Sequence, residues 1–221
     1  MSYAGDNDVP MPRTTKSAIP HIPHIRSLQK ACNLHARILM GVLSQKPGPT
    51  GLPAEPMASF ETRFSATDGG GAHMPAAAIP SSDAVYGQVA ALLTSANATD
   101  SQTARDVARI GQHHLYLMFT TVANAGLHSF APDVSGNPES TYNLVHEGVF
   151  VDSFRAVASS SAYYSLYALS LPSINDENLL RRVYRSFVYG YLRIEARSTL
   201  FNVYPWLIIL LDAFGLPLTK G

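Results

Sequence analysis

Apolar residues recur along most of this chain at helical spacing. Ile25, Leu28, Cys32, Leu39 and Val42 stand three or four residues apart, or their sum, and predict a helix over residues 24–45. Ser82-Asp83 opens a short helix marked by Val85, Val89, Leu92 and Leu93. Thr99 or Asp100 caps a longer one through Val107, Ile110, His114, Leu117 and Thr121 that ends near Gly126. Residues 127–146 are polar and broken by Pro132, Gly136 and Pro138. A further helix is expected over 149–170, with Phe150, Val151, Phe154, Val157, Tyr163, Tyr164 and Tyr167 as its marks and Leu171-Pro172 as its stop. Ser173 with Asp176 forms a capping-box-like start for a helix over 174–197. A last helix, roughly 199–214, carries Pro205 one turn in and ends at Gly215 before Pro217. Few segments alternate as strands do, and most turns lack the Asn-Gly signal of hairpins. The expected fold is mainly α, a helical core of about six helices without an internal repeat.

Two stretches stand apart from this pattern. Residues 1–23 hold Pro10, Pro12, Pro20 and Pro23 with little periodicity, which predicts an extended N-terminal arm. The stretch 47–82 holds six prolines and five glycines, Gly69-Gly70-Gly71 among them. It reads as a long loop with Phe60 and Phe64 as anchors. The organisation expected is therefore an arm followed by a single helical domain over 24–221.

Composition narrows the class. Of 221 residues, 46% are apolar, enough for a core, and sixteen basic side chains balance sixteen acidic ones. That balance excludes a free-standing, strongly cationic nucleic-acid binder. A lone cysteine, Cys32, leaves no internal disulfide and suits a reducing compartment. The opening MSYAGDNDVPMPRTTK has no apolar core of the kind a secretory signal carries. The apolar run Tyr204 to Leu211 stops at Asp212, too short to span a bilayer. No membrane partner is expected.

The zero net charge hides a strong segregation. Residues 1–66 carry seven basic and four acidic side chains, 67–177 three and ten, and 178–221 six and two. A chain basic at both ends and acidic in the middle suits head-to-tail contact between copies. On the helix expected over 174–197, Arg181, Arg182, Arg185, Arg193 and Arg197 fall within one arc, opposite Leu180, Val183, Phe187, Tyr191 and Ile194. Tyr189 sits among the arginines, placed to stack on a guanidinium or a base. Glu195 lies outside the arc, so the strip is expected to lack an acidic partner on its own face. Arginine's planar fork suits phosphate, and Arg105 and Arg109, one turn apart on another helix, extend the same candidate surface. Against phosphate binding stands an internal or intersubunit salt-bridge network, or plain solvation. If the strip grips phosphate, Arg181→Ala with Arg185→Ala weakens RNA retention without unfolding the chain.

Candidate chemistry elsewhere is thin. His21, His24, Cys32 and His35 spell H-x2-H-x7-C-x2-H, residue types that zinc accepts, but the seven-residue spacer is too short for a finger. His113 and His114 are adjacent on a helix and point apart. No H-E-x-x-H, G-x-S-x-G or Walker A pattern occurs, and Gly69-Gly70-Gly71 does not precede a helix start. The enzymatic alternative is a pocket using His114 with Tyr116 or Asp152; no cofactor is implied. A second alternative is an adaptor whose apolar C-terminal helix docks a partner.

Extended arm, helical core, arginine strip and bipolar charge together predict a structural protein that assembles with itself and binds the phosphate backbone of RNA. Ala (27), Ser (22) and Pro (15) make up much of the chain. This bias resembles the proline-alanine-serine-rich proteins that coat the RNA of some fungal viruses, and the layout looks like helical coat proteins of filamentous RNA viruses. The resemblance implies a coat or nucleocapsid protein of the virion and the host cytoplasm.

Overall fold

Every described element of the chain is helical. A computed structural model describes residues 23–44, 60, 82–196 and 198, and among these there is no strand. Seven α-helices follow one another: α1 (Pro23–Leu39), α2 (Ser82–Ala98), α3 (Gln102–Ala108), α4 (Gln112–Asn124), α5 (Thr141–Ser159), α6 (Leu171–Asn175) and α7 (Glu177–Arg185). A π-helical segment, Ser186–Leu192, continues α7 without a break. The mainly helical fold is as expected. The arm, apart from Pro23 in α1, lies outside the described residues. So do the expected helix 199–214 and the long loop, except for Phe60 and Ser82. Phe60 is buried and meets the Tyr142 ring edge-on at 4.9 Å, the anchoring role expected of it.

α5 is the central helix because its apolar and small residues run nearly all round it. Val149, Phe150, Val151, Phe154 and Val157 are all buried, and α5 packs on α4, α7, α6 and α1. Such a helix belongs inside rather than on a surface. Its start is set by Ser140, whose side chain caps the Asn143 N–H. The expected helix over 149–170 therefore begins eight residues earlier and ends at Ser159.

Three other boundaries differ from expectation for local reasons. The single helix expected from residue 100 to Gly126 is two, because Gly111 adopts φ −59°, ψ 137° and turns the chain between α3 and α4. Pro172 starts a helix instead of stopping one: in the first turn of α6 its missing N–H costs nothing. Asp176 is the true N-cap of α7, accepting from the Leu179 N–H at 3.0 Å, so the helix expected from 174 begins at Glu177.

Helix ends recur in one form. After α1, the Gly41 N–H meets the Ile38 carbonyl and the Val42 N–H meets the Arg37 carbonyl, with Gly41 at φ 67°. This double closure uses a left-handed residue, the usual task of glycine. Gly126 closes α4 the same way, and Ser161, at φ 67°, closes α5 without being glycine.

Candidate nucleic-acid interface

The expected arginine strip begins on the side of α7 that faces α5, and there it meets a buried carboxylate. Glu147 of α5 is fully buried. Arg181 Nη1 donates to its Oε1 at 2.8 Å and Arg185 Nε donates to its Oε2 at 2.6 Å. Arg181 also donates to Glu177 Oε1 from Nε and Nη2, at 3.0 and 2.7 Å, and Arg185 Nη1 reaches Glu139 at 2.5 Å. The hydrogen bonds to Glu147 push both guanidinium groups further above their ordinary value. A carboxylate stripped of water needs such paired donors to stay charged. The expectation that the strip lacks acidic partners is thus corrected for Arg181 and Arg185. Glu177, four residues before Arg181, was visible as a partner in the sequence; Glu147 and Glu139 come from distant chain.

The other strip residues divide. Arg193 donates to the carbonyls of Val134 and Gly136 at 2.7 and 2.6 Å, and its guanidinium lies 5.7 Å from the centre of the Tyr189 ring. It clasps a turn already held by Asn143, whose amide donates to the carbonyls of Asp133 and Asn137. At Gly136 a Cβ would lie 2.1 Å from Asp133 Oδ2, so any larger residue there would displace the Asp133 side chain. Tyr189 is half-buried and packs edge-on against Tyr184, so its ring already holds a guanidinium of its own chain. Arg197 lies outside the described residues. Arg182 is exposed and makes no ion pair among the described residues.

Arg105 and Arg109 are not brought to this surface by α7. They belong to α3 and its end, which pack on α2 and α1. Arg105 pairs with Asp100 at 2.7 Å, and Arg109 donates to the Ser165 carbonyl.

A different helix carries cations without local acid. Residues 23–44 include Arg26, Lys30 and Arg37 and no Asp or Glu. Arg26 and Lys30 are exposed, and Lys30 makes no ion pair among the described residues. α1 packs on α7, and between α1 and the π-helical segment runs a cleft of about 420 Å³. Gln29 and Ser186 line its two sides. Lys30 follows Gln29 in the chain, and Arg182 stands one turn before Ser186, so both outward cations sit on the two helical stretches that form the cleft. The apolar marks of α1 carry no trace of this seam; the absence of acid from α1 is the signal the sequence holds.

His35, His146 and Cys32 are buried and structural in their contacts. His35, fully buried, holds the Tyr163 hydroxyl at Nδ1 (2.5 Å) and Ser153 Oγ at Nε2 (2.7 Å). Ser153 donates to the Phe150 carbonyl, so its oxygen accepts from His35 Nε2–H and Tyr163 O–H donates to Nδ1. Burial pulls His35 down to about 3 and, with its backbone partners opposing, His146 to about 4. Both ring nitrogens of His35 are therefore spent, and Cys32 beside it is buried; His21 lies outside the described residues. Among the described residues no group of three metal-ligating side chains converges. His114, Tyr116 and Asp152 do not form a constellation: His114 Nε2 meets the Ser160 carbonyl, Tyr116 accepts from Gln112, and Asp152 is exposed on α5.

Comparison of the chain with known protein families, curated proteins and solved structures finds no match. Among the described residues no helix is long and apolar enough to cross a membrane.

Proposed function

We propose that this chain is a structural coat or nucleocapsid subunit that assembles with copies of itself and binds the phosphate backbone of RNA, in a virion and in the cytoplasm of its host. One observation carries the reading: the exposed Lys30 of α1 and the exposed Arg182 of α7, on helices that pack together, make no ion pair among the described residues. Uncompensated cations on adjoining helices are what a polyanion meets, whereas Arg181 and Arg185 spend their charge inside the fold. The basic surface of this reading is therefore the α1–α7 seam rather than the whole arginine strip. Self-association is supported by large apolar side chains left on the surface, with Tyr164 85%, Ile194 66% and Leu171 64% exposed. An acidic middle and basic ends let such copies meet with opposite charge.

The test is purification of the full chain with its nucleic acid, followed by size-exclusion chromatography, negative-stain microscopy and RNA-binding measurements across a salt series. The expected result is polymers or shells carrying nuclease-sensitive RNA. Lys30→Ala with Arg182→Ala removes two phosphate contacts, so the slope of log K against log salt flattens by about 1.4 for a single strand. A monomer free of RNA, or an unchanged slope in the double variant, overturns the proposal.

A further inference from the structure

Arg37 is the one residue of the α1 row whose charge is buried in the cleft and unanswered by acid. It is only 9% exposed, and no carboxylate pairs with it among the described residues. Its guanidinium carbon lies 5.4 Å from the centre of the Phe187 ring and 5.8 Å from that of Tyr191, and Nη1 reaches the Ser44 carbonyl at 3.5 Å. Ring faces stabilise a cation, yet a guanidinium has five N–H donors, and the weak bond to the Ser44 carbonyl with the contact to the Tyr191 hydroxyl leaves donors open. Burying a charge in this state is costly unless an anion completes it.

The π-helical segment builds the opposite wall. Its wide turn brings residues four and five apart over one another, and the Phe187 and Tyr191 rings stack at 5.7 Å with an 11° tilt. The Tyr191 hydroxyl donates to Glu195. On α1, Gln29, Asn33 and Arg37 stand at i, i+4 and i+8, a single row of two amides and a guanidinium along the cleft. Ser186 adds a hydroxyl from the other side. A volume of about 420 Å³ lies within the range of small-molecule sites, about 300–1,000 Å³.

We infer that this cleft is a phosphate-ester subsite that seats one nucleotide, its phosphate on Arg37 and the donors and acceptors of its base or sugar along Asn33, Gln29 and Ser186. The inference rests on the RNA-binding reading above and gives it a defined contact. Arginine offers phosphate two parallel charge-assisted hydrogen bonds, amides match the mixed donor and acceptor edges of a base or ribose, and the exposed Lys30 and Arg182 on the helices that form the cleft draw an anion in. Phosphate rather than a carboxylate peptide is favoured by this pairing of a buried guanidinium with an amide row.

Isothermal titration calorimetry of the full chain tests it, with uridine monophosphate, a tetrauridylate, a long RNA and a hexaglutamate peptide as probes. The monophosphate and the tetrauridylate are expected to bind, a tighter tetrauridylate marking the strand as the source and equal affinity marking the free nucleotide. Asn33→Asp sets a carboxylate in the cleft and is expected to weaken both at least fivefold, with circular dichroism unchanged. Ser186→Asp, at an exposed position, gives the same readout if Asn33→Asp fails to fold. No binding of either nucleotide probe, a loss below fivefold in the folded variants, or hexaglutamate binding as tight as tetrauridylate overturns the subsite. If long RNA still binds while those arms fail, the coat reading survives its loss; nucleotide binding without long-RNA binding keeps the subsite and overturns the coat reading.

Discussion

Arg181 holds an oxygen of the fully buried Glu147 at 2.8 Å across the interface of α5 and α7. Arg185 takes the second oxygen, so one carboxylate answers two guanidinium groups. Breaking a buried pair costs about 3–5 kcal/mol, and because both arginine side chains are about one-third exposed (34% and 36%), water recovers part of that. Glu147→Ala is therefore expected to lose about 2–3 kcal/mol in urea denaturation. Arg181→Ala with Arg185→Ala leaves Glu147 buried and alone, so it destabilises the fold as well, contrary to the expectation from sequence that it leaves the chain folded. A double variant as stable as the parent would show that the pair carries no structural weight. Arg182→Ala, in contrast, stays within about 0.5 kcal/mol.

Acid is expected to unfold this protein through its buried histidines. His35 and His146 stand at about 3 and 4 against an ordinary 6.5. Between those values the unfolded chain binds protons that the folded chain refuses, so stability rises with pH there. It is full above about 6.5 and is lost as pH falls toward 4 and then 3, by about 1.4 kcal/mol per pH unit for each histidine. Denaturation midpoints measured from pH 7.5 to 4.5 check this, and a flat profile between 6.5 and 5 would contradict it.

Ser161 offers a gain. It closes α5 at φ 67°, where a side chain strains the backbone and glycine does not. Ser161→Gly is expected to raise stability by about 0.5–1 kcal/mol, read as a higher melting temperature. The same exchange at Ser159, inside the helix, should lower it.

Cys32 is expected to be chemically silent. It is 1% exposed, and burial pushes its thiol well above its ordinary value, so the reactive thiolate is scarce and unreachable. A chromogenic disulfide reagent should label the native protein only as fast as it unfolds, and at once in denaturant. Stoichiometric labelling under native conditions at pH 7 would count against this burial.

Helical content and the anchoring of Phe60 were legible in the sequence because periodicity and a bulky aromatic in a Pro/Gly run are local signals. The start of α5 was not, since Asn143, His146 and Glu147 look like loop residues until their partners are known. All three are buried: Asn143 staples the 133–137 turn, His146 holds the Tyr142 carbonyl, and Glu147 receives two arginines. Polar residues inside a core are justified only by contacts distant in sequence. The arginine strip shows the same limit: its residues were identifiable on one helix, but two of the three carboxylates that occupy Arg181 and Arg185 arrive from α5 and the preceding loop. The acid-free face of α1 was within reach of sequence reading, as a count of charges per helix would have found it.

The π-helical segment holds one more backbone residue per turn than an ordinary helix would use. Removing a single residue such as Gly190, which has open space about it, would let the coil tighten and swing everything after it by on the order of 100°. Phe187 and Tyr191 would part and the floor under Arg37 would vanish, while no side chain of the seam had itself been altered. The shape of that crevice is thus written in a tally of peptide units, and it is open to loss by deletion at positions where substitution is harmless.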